Sequence, residues 1–323
     1  MKFEWIDFYS EFATKLLLFK NDRKALIERI NDVYTAINMQ VPKLESGGDI
    51  IDIDPFTIFG LFNKGITNSN RIAIIRSIAN VFGIEAKVPN NFDGIPVLNN
   101  LKATFYAFKE DRKADDIDNI WNVFEAALRL ADNDTEQNRK EFSKWYDLVH
   151  DQRCIRWNIT MGLYWIRPYT YINLDSRNRW YISNVENMPA EFVNSIKKKI
   201  NKVPNATDYL FIKDACIKAL EVGSYEYKNY PELSYSAWIV SEQVNRQKAA
   251  ANGKKLSNAA FLRWFKPLIQ ALRDLGGSGT PAEARAKIVE NEQLSDEEVN
   301  AIRGKNNVNK FENEVAFARS WIY

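Results

Sequence analysis

The chain has 323 residues, 46% hydrophobic and 13% aromatic with nine Trp, which excludes a disordered polymer and predicts two or three domains with substantial cores. Its 44 basic and 42 acidic side chains leave a formal net charge of +2, so no long-range field gathers polyanions, and nucleic-acid contact has to come from a local patch. Cys154 and Cys216 are too few and too widely spaced for a disulfide framework or a zinc cluster.

In chain order, Trp5, Phe8, Phe12, Leu16 and Phe19 recur at three- and four-residue spacing and predict a first helix. Leu26, Ile30, Val33 and Ile37 predict a second, capped by Asp22, and the two are expected to form a hairpin. Gly47 to Pro55 breaks the pattern; DPFTIFGLFNKGIT then reads as a short helix and turn before a longer helix over Asn70–Phe82, capped by Asn68 or Ser69. The loop VPNNFDGIPVLNN follows, and helical periodicity returns around Ile117–Leu130 and Phe142–Val149. From 155 to 183, aromatic and β-branched residues dominate and SRN reads as a turn, so a small antiparallel β region is expected there. Helices are predicted again over Ala190–Ile200, over Thr207–Leu220 and from Tyr235 onward.

The small, basic run QKAAANGKKLSN reads as a linker, placing a first domain at 1–245 (helical over 1–150, β-containing over 151–245), the linker at 246–257 and a second domain at 258–323. In that second domain Phe261, Phe265, Leu268, Ile269 and Leu272 share a helix face that Gly276 and Gly277 end. Pro281 opens the next helix, Ser295 with Glu298 forms a capping box, and Phe311, Val315, Ala318 and Ile322 mark a last helix. The fold class expected is therefore α+β, mainly helical.

The start MKFEWIDFYSEF lacks the basic-then-apolar order of a leader, and no apolar run reaches the length of a membrane span, so a cytoplasmic location is expected.

A phosphate-cradling GxxxxGK[ST] loop is missing; its nearest fragment, Gly253-Lys254-Lys255, sits in the linker. His150 is the only imidazole and is expected to meet the C-terminal dipole of a helix beside Asp147 and Asp151. Asp52 or Asp54 with Glu85 and Lys87 could make a metal-dependent nuclease, in which carboxylates hold the ion and Lys offsets charge building on phosphate; a solvated loop is the plainer account. No catalytic residue, metal ligand or cofactor is assigned. Between Trp157 and Tyr181, aromatics alternate with Arg167, Arg177 and Arg179, a pattern that could stack bases and contact phosphates, with Trp165 among the rings, or could simply pack a core. Lys197, Lys198, Lys199 and Lys202 could hold phosphate, or could offset a helix dipole at a solvated helix end.

Two resemblances stand on these segments. DIDPFTIFGLFNKGIT, NNFDGIPVLNNLKATFY, WNITMGLYWIRP and YINLDSRNRWYI occur in that order and resemble the N-terminal region that precedes the motor in McrB-type AAA+ proteins of modification-dependent restriction systems; the likeness covers about 1–245. The motor itself is missing. FLRWFKPLIQALRDLGGSGTPAEARAKI, LSDEEVNAI and KFENEVAFARSWIY are similar to the N-terminal winged-helix domain of Mrr-type restriction endonucleases, over about 256–323. Here the sequence given reaches Tyr323 without the β-hairpin wing, so a winged-helix-like domain lacking its wing is expected. The resemblances imply a DNA-recognition module of a bacterial modification-dependent restriction or phage-defence system, binding DNA, modified or unmodified, and coupling to a AAA+ motor or nuclease subunit, with no membrane partner. In a groove-bound helix, Asn307, Asn309, Lys310 and Asn313 are the expected base and phosphate contacts, while Glu312, Glu314 and 296–298 would repel phosphate. A protein-binding assembly adaptor is the remaining alternative.

Overall fold

The structure is a computed structural model that describes residues 3–99, 103–223, 225, 227–251, 262–303 and 308–319. The chain divides into two compact units, Met1–Ser241 and Glu242–Tyr323.

Among its described residues the first unit is built of helices and the loops that join them, with one isolated β-bridge between Lys64 and Leu98. Helix α1 (Trp5–Leu17) buries Trp5, Phe8, Phe12 and Leu16, and α2 (Arg23–Thr35) buries Leu26, Ile30 and Val33, with Asp22 accepting from the Ala25 amide as its cap. Helix α3 (Pro55–Gly60) is short and wholly buried; the Asp54 carboxylate accepts from the amides of Phe56 (2.8 Å) and Thr57 (2.9 Å), and Pro55 occupies the first turn, where its missing N–H costs nothing. Helix α4 (Asn68–Phe82) is capped by Thr67, not by Asn68 or Ser69, and ends at Gly83 in the left-handed region. Helices α5 (Asp116–Asp132) and α6 (Glu136–Val149) pack as a hairpin, and His150 is the C-terminal cap of α6, its ring stacked on Tyr146.

Residues 155–183 correct the β expectation. They form α7 (Asn158–Ile166) and α8 (Ser176–Ile182), and none of them lies in a strand. Every residue of α7 from Ile159 to Ile166 is buried, so the helix has no polar stripe and its sequence shows no helical period; what remains visible is aromatic and β-branched content that imitates a strand. The supposed SRN turn is the first turn of α8, capped by Asp175, whose Oδ1 accepts from the Asn178 amide at 2.8 Å. Gly162 sets the packing of α7: a Cβ there would lie 2.6 Å from Cδ1 of Phe56 and 3.2 Å from Cε1 of Phe105. Helices α9 (Ala190–Ile196), α10 (Ala206–Val222) and α11 (Tyr230–Ala251) complete the series. Helix α11 takes in the first residues of the expected linker, and 252–261 lie outside the described residues.

One continuous core runs through this unit, and its largest buried side chains are Trp5, Trp121 and Trp165. Trp165 packs with its ring nearly parallel to Phe59 and edge-on to Phe105, and its Nε1 donates to the Pro96 carbonyl at 3.1 Å. It is 0% exposed, which corrects its assignment as a base-stacking ring: the surface it would offer is already in the core.

In the second unit a 3-10 turn (Leu262–Trp264) leads into α12 (Phe265–Asp274), followed by α13 (Pro281–Glu292), α14 (Asp296–Asn300) and α15 (Lys310–Arg319). Capping boxes open both α13, from Thr280 and Glu283, and α14, from Ser295 and Glu298. Between α14 and α15, β1 (Ile302–Arg303) pairs antiparallel with β2 (Val308–Asn309) in the register Ile302 to Asn309 and Arg303 to Val308. A separate small core gathers Trp264, Leu268, Ile288, Phe311 and Val315. No described helix is long and apolar enough to cross a membrane.

Candidate nucleic-acid interface

A cleft of about 1020 Å³ opens in the first unit where three chain segments meet: the loop 90–97, the start of α7 and the start of α8, with α4 and α11 contributing Arg71 and Trp238. Three of the four stretches singled out in the sequence, NNFDGIP, WNITM and DSRNR, therefore line one concavity. The fourth, DIDPFTIFG, forms α3, whose Phe56 meets Gly162 of α7.

The loop wall is built by carbonyls. Trp5 Nε1 donates to Asp93 O (3.2 Å), Trp165 Nε1 to Pro96 O, and Ser234 Oγ (3.2 Å) and Tyr164 Oη (3.4 Å) both donate to Gly94 O. Donors from α1, α7 and α11 thus fix a segment with no regular hydrogen-bonding of its own. Gly94 sits at φ +75°, and a Cβ there would come within 3.5 Å of α11, so only glycine fits without strain. On the opposite wall, Cys154 (φ +77°) and Arg156 (φ +45°) hold left-handed backbone immediately before Trp157. Such non-glycine residues cost on the order of 1 kcal/mol each, a cost the surrounding packing has to offset in order to present the indole at the cleft.

Cations and rings alternate across the cleft. The Arg71 guanidinium lies 4.9 Å from the Phe92 ring centre, and that of Arg179 lies 3.8 Å from the Trp157 ring centre. Arg71 is 6% exposed; its donors go to the carbonyls of Phe62 (2.8 Å) and Lys64 (3.3 Å), and it has no carboxylate in ion-pair range among the described residues. Arg179 donates to the Leu174 carbonyl at 2.7 Å and likewise has no ion pair among the described residues. Burial lowers the pKa of both guanidiniums, which remain charged because Arg starts so high. Arg177 adds a third guanidinium, and Asn68, Asn90 and Asn158 add amides, whereas both ends of the Asn91 amide are engaged with Asp93. The two carboxylates of the lining already hold donors: Asp93 accepts from Asn91 Nδ2 (2.9 Å), and Asp175 caps α8. Buried Arg71, held by carbonyls and a ring face, and half-buried Arg179, which also feels the Asp175 carboxylate, favour an anion, and the half-exposed indoles of Trp157 and Trp238 supply flat apolar area beside it.

Of the residues expected from sequence, Arg177 and Arg179 come together in this cleft. Arg167 does not. Its guanidinium donates to the carbonyls of Ser10 (3.1 Å) and Ile166 (2.9 Å) and to Thr14 Oγ1 (3.2 Å), and it lies 3.6 Å from Asp132, so it ties α7 to α1. Arg71, Phe92 and Trp238 were missed; nothing local marks them, since they reach the cleft from α4, a loop and α11.

In the second unit, Asn307 lies outside the described residues. Asn309 has both ends of its amide engaged, Nδ2 donating to the Val299 carbonyl (2.8 Å) and Oδ1 accepting from the Glu312 amide (2.9 Å). It caps α15, a role that corrects its assignment as a base reader. Lys310 and Asn313 lie on the first turns of α15 and are half-buried. Glu314 is buried; its Oε2 accepts from Trp264 Nε1 at 2.9 Å and lies 3.3 Å from Arg263, while its Oε1 is buried without a hydrogen-bond partner among the described residues.

Of the residues of the nuclease alternative, Asp52, Asp54 and Lys87 are engaged in structural contacts, and Glu85 is exposed. Asp54 caps α3 with its carboxylate fully buried, which raises its pKa to about 6. Asp52 pairs with Arg23 at 2.9 Å, and Lys87 lies 3.5 Å from Glu4. No group of three His, Cys, Asp or Glu among the described residues is placed to hold a metal ion.

No curated protein and no solved structure matches the chain. The family model DUF8425, described as a domain of unknown function, matches residues 5–240, the segment that contains the whole cleft, and the chain belongs to that family.

Proposed function

We propose that this protein is a DNA-recognition module of a bacterial modification-dependent restriction or phage-defence system, and that its first unit binds DNA through the cleft. One observation carries the reading: Arg71, buried and with no carboxylate in ion-pair range among the described residues, and Arg179, half-buried over Trp157 with Asp175 as its nearby acid, flank rings and amides in a single concavity. Phosphate supplies the missing negative charge, the rings of Trp157 and Trp238 take base faces, and asparagine amides match base edges. The second unit is read as a winged-helix-like domain that adds contacts or docks a AAA+ motor or nuclease subunit, and the protein acts in the cytoplasm. Recognition without turnover is its task.

Titration of the full chain with fluorescein-labelled duplex and single-stranded DNA, followed by anisotropy across a salt series, tests this. Each neutralised phosphate contributes roughly −0.7 to −0.9 to the slope of log affinity against log salt. Three cleft arginines therefore give a slope of about −2 to −3. Failure to bind at low salt, or an affinity indifferent to salt, refutes the reading.

A further inference from the structure

A second cavity, of about 480 Å³, adjoins the cleft and shares Ser176 and Arg179 with it. Beyond that shared rim its lining is Trp180, Ser183 and Asn184 on one side, and Ile200 and Asn201 on the other. Trp180 is 38% exposed, an indole left at the surface in the lining of the second cavity, next in sequence to the shared Arg179. The far wall belongs to the turn after α9, which carries the lysine run. There Lys199 is committed, paired with Asp208 and lying 4.8 Å from the ring centre of Phe211, whereas Lys197, Lys198 and Lys202 are exposed, with no ion pair among the described residues. Nothing in the cleft itself accounts for that run or for the exposed indole. No carboxylate lines the second cavity among the described residues, and the Asn184 amide donates to Glu186 at 3.3 Å.

Resting on the reading of the cleft as a DNA site, we propose that the two cavities form one track for an unpaired strand. A nucleotide held in the cleft is followed by a backbone that crosses the Arg179 rim, a base that stacks on Trp180, and phosphates that meet Lys198 and Lys202. The rings select for unpaired bases, because in a duplex both faces of each base are covered by its neighbours. Arg179 stands where both cavities meet, so its guanidinium serves the phosphate between the two nucleotides.

Oligothymidylates of increasing length, titrated into the full chain, test the track. Affinity is expected to rise with length until both cavities are spanned and then to level off. Trp180→Ala, and Lys198→Ala with Lys202→Ala, are expected to lower affinity for the long oligonucleotide by about tenfold and to leave the shortest one unchanged. All of these side chains are exposed, and thermal melting of the variants verifies that each is folded. Length-independent binding that is lost on Arg179→Ala overturns the track while sparing the cleft. The track also falls if Trp180→Ala leaves the long oligonucleotide unaffected. Absence of binding at every length overturns both.

Discussion

Replacing Trp165 by alanine lowers the free energy of unfolding by about 4 kcal/mol, within the range for deleting a large buried aromatic. The indole has no exposed surface, contacts Phe59 and Phe105, and holds the Pro96 carbonyl. Alanine would leave a cavity between α3 and α7 and an unanswered buried acceptor, two costs that add. Trp165→Phe keeps most of the apolar volume and loses mainly the hydrogen bond, so about 1–2 kcal/mol is expected there. The consequence reaches the site, because Pro96 belongs to the loop that walls the cleft. Urea denaturation followed by circular dichroism reads both variants. A loss below about 1 kcal/mol for Trp165→Ala would return the residue to the surface role that its sequence context suggested.

Arg179→Ala lowers affinity for DNA by between about tenfold and a hundredfold, the equivalent of one charge-assisted hydrogen bond to phosphate. The residue is already oriented before any ligand arrives: the guanidinium stacks on Trp157 and one donor is fixed on the Leu174 carbonyl, which leaves its remaining donors at the rim of two cavities. Such preorganisation spares the entropy that a free side chain loses on binding. The salt slope is expected to become shallower by about 0.7–0.9, one phosphate's worth. Arg179→Lys preserves charge without the planar fork and is expected to fall between the two. Equal affinities for all three proteins would remove Arg179 from the interface.

The contrast between these two positions shows what the sequence made legible. Trp165 and Arg179 lie in the same aromatic and basic stretch, and composition alone ranks them equally as contacts. Burial separates them, and burial depends on α7 being enclosed on every side, which erases the periodicity that would have announced a helix. Where one face stays wet, as in α1, α2 and α5, spacing located the helix and its buried residues directly. Caps behave similarly: Asp22 and the Ser295–Glu298 pair are readable from local chemistry, while the polar neighbours Asn68 and Ser69 mask Thr67, the residue that caps α4. The cleft was half visible. Arg177 and Arg179 stand in a stretch already conspicuous for its arginines, but Arg71 and Trp238 reach the same concavity from distant helices, and only the packing of α4 and α11 brings them there.

Hydrogen exchange of the full chain, measured with and without saturating single-stranded DNA, tests most directly whether this cleft is where DNA binds. Protection is expected at 90–97, at the first turns of α7 and α8, and around Arg71, since these residues line the cavity and a ligand would slow their local opening. Protection confined to 262–319, or none in the presence of demonstrated binding, would contradict the assignment of the cleft.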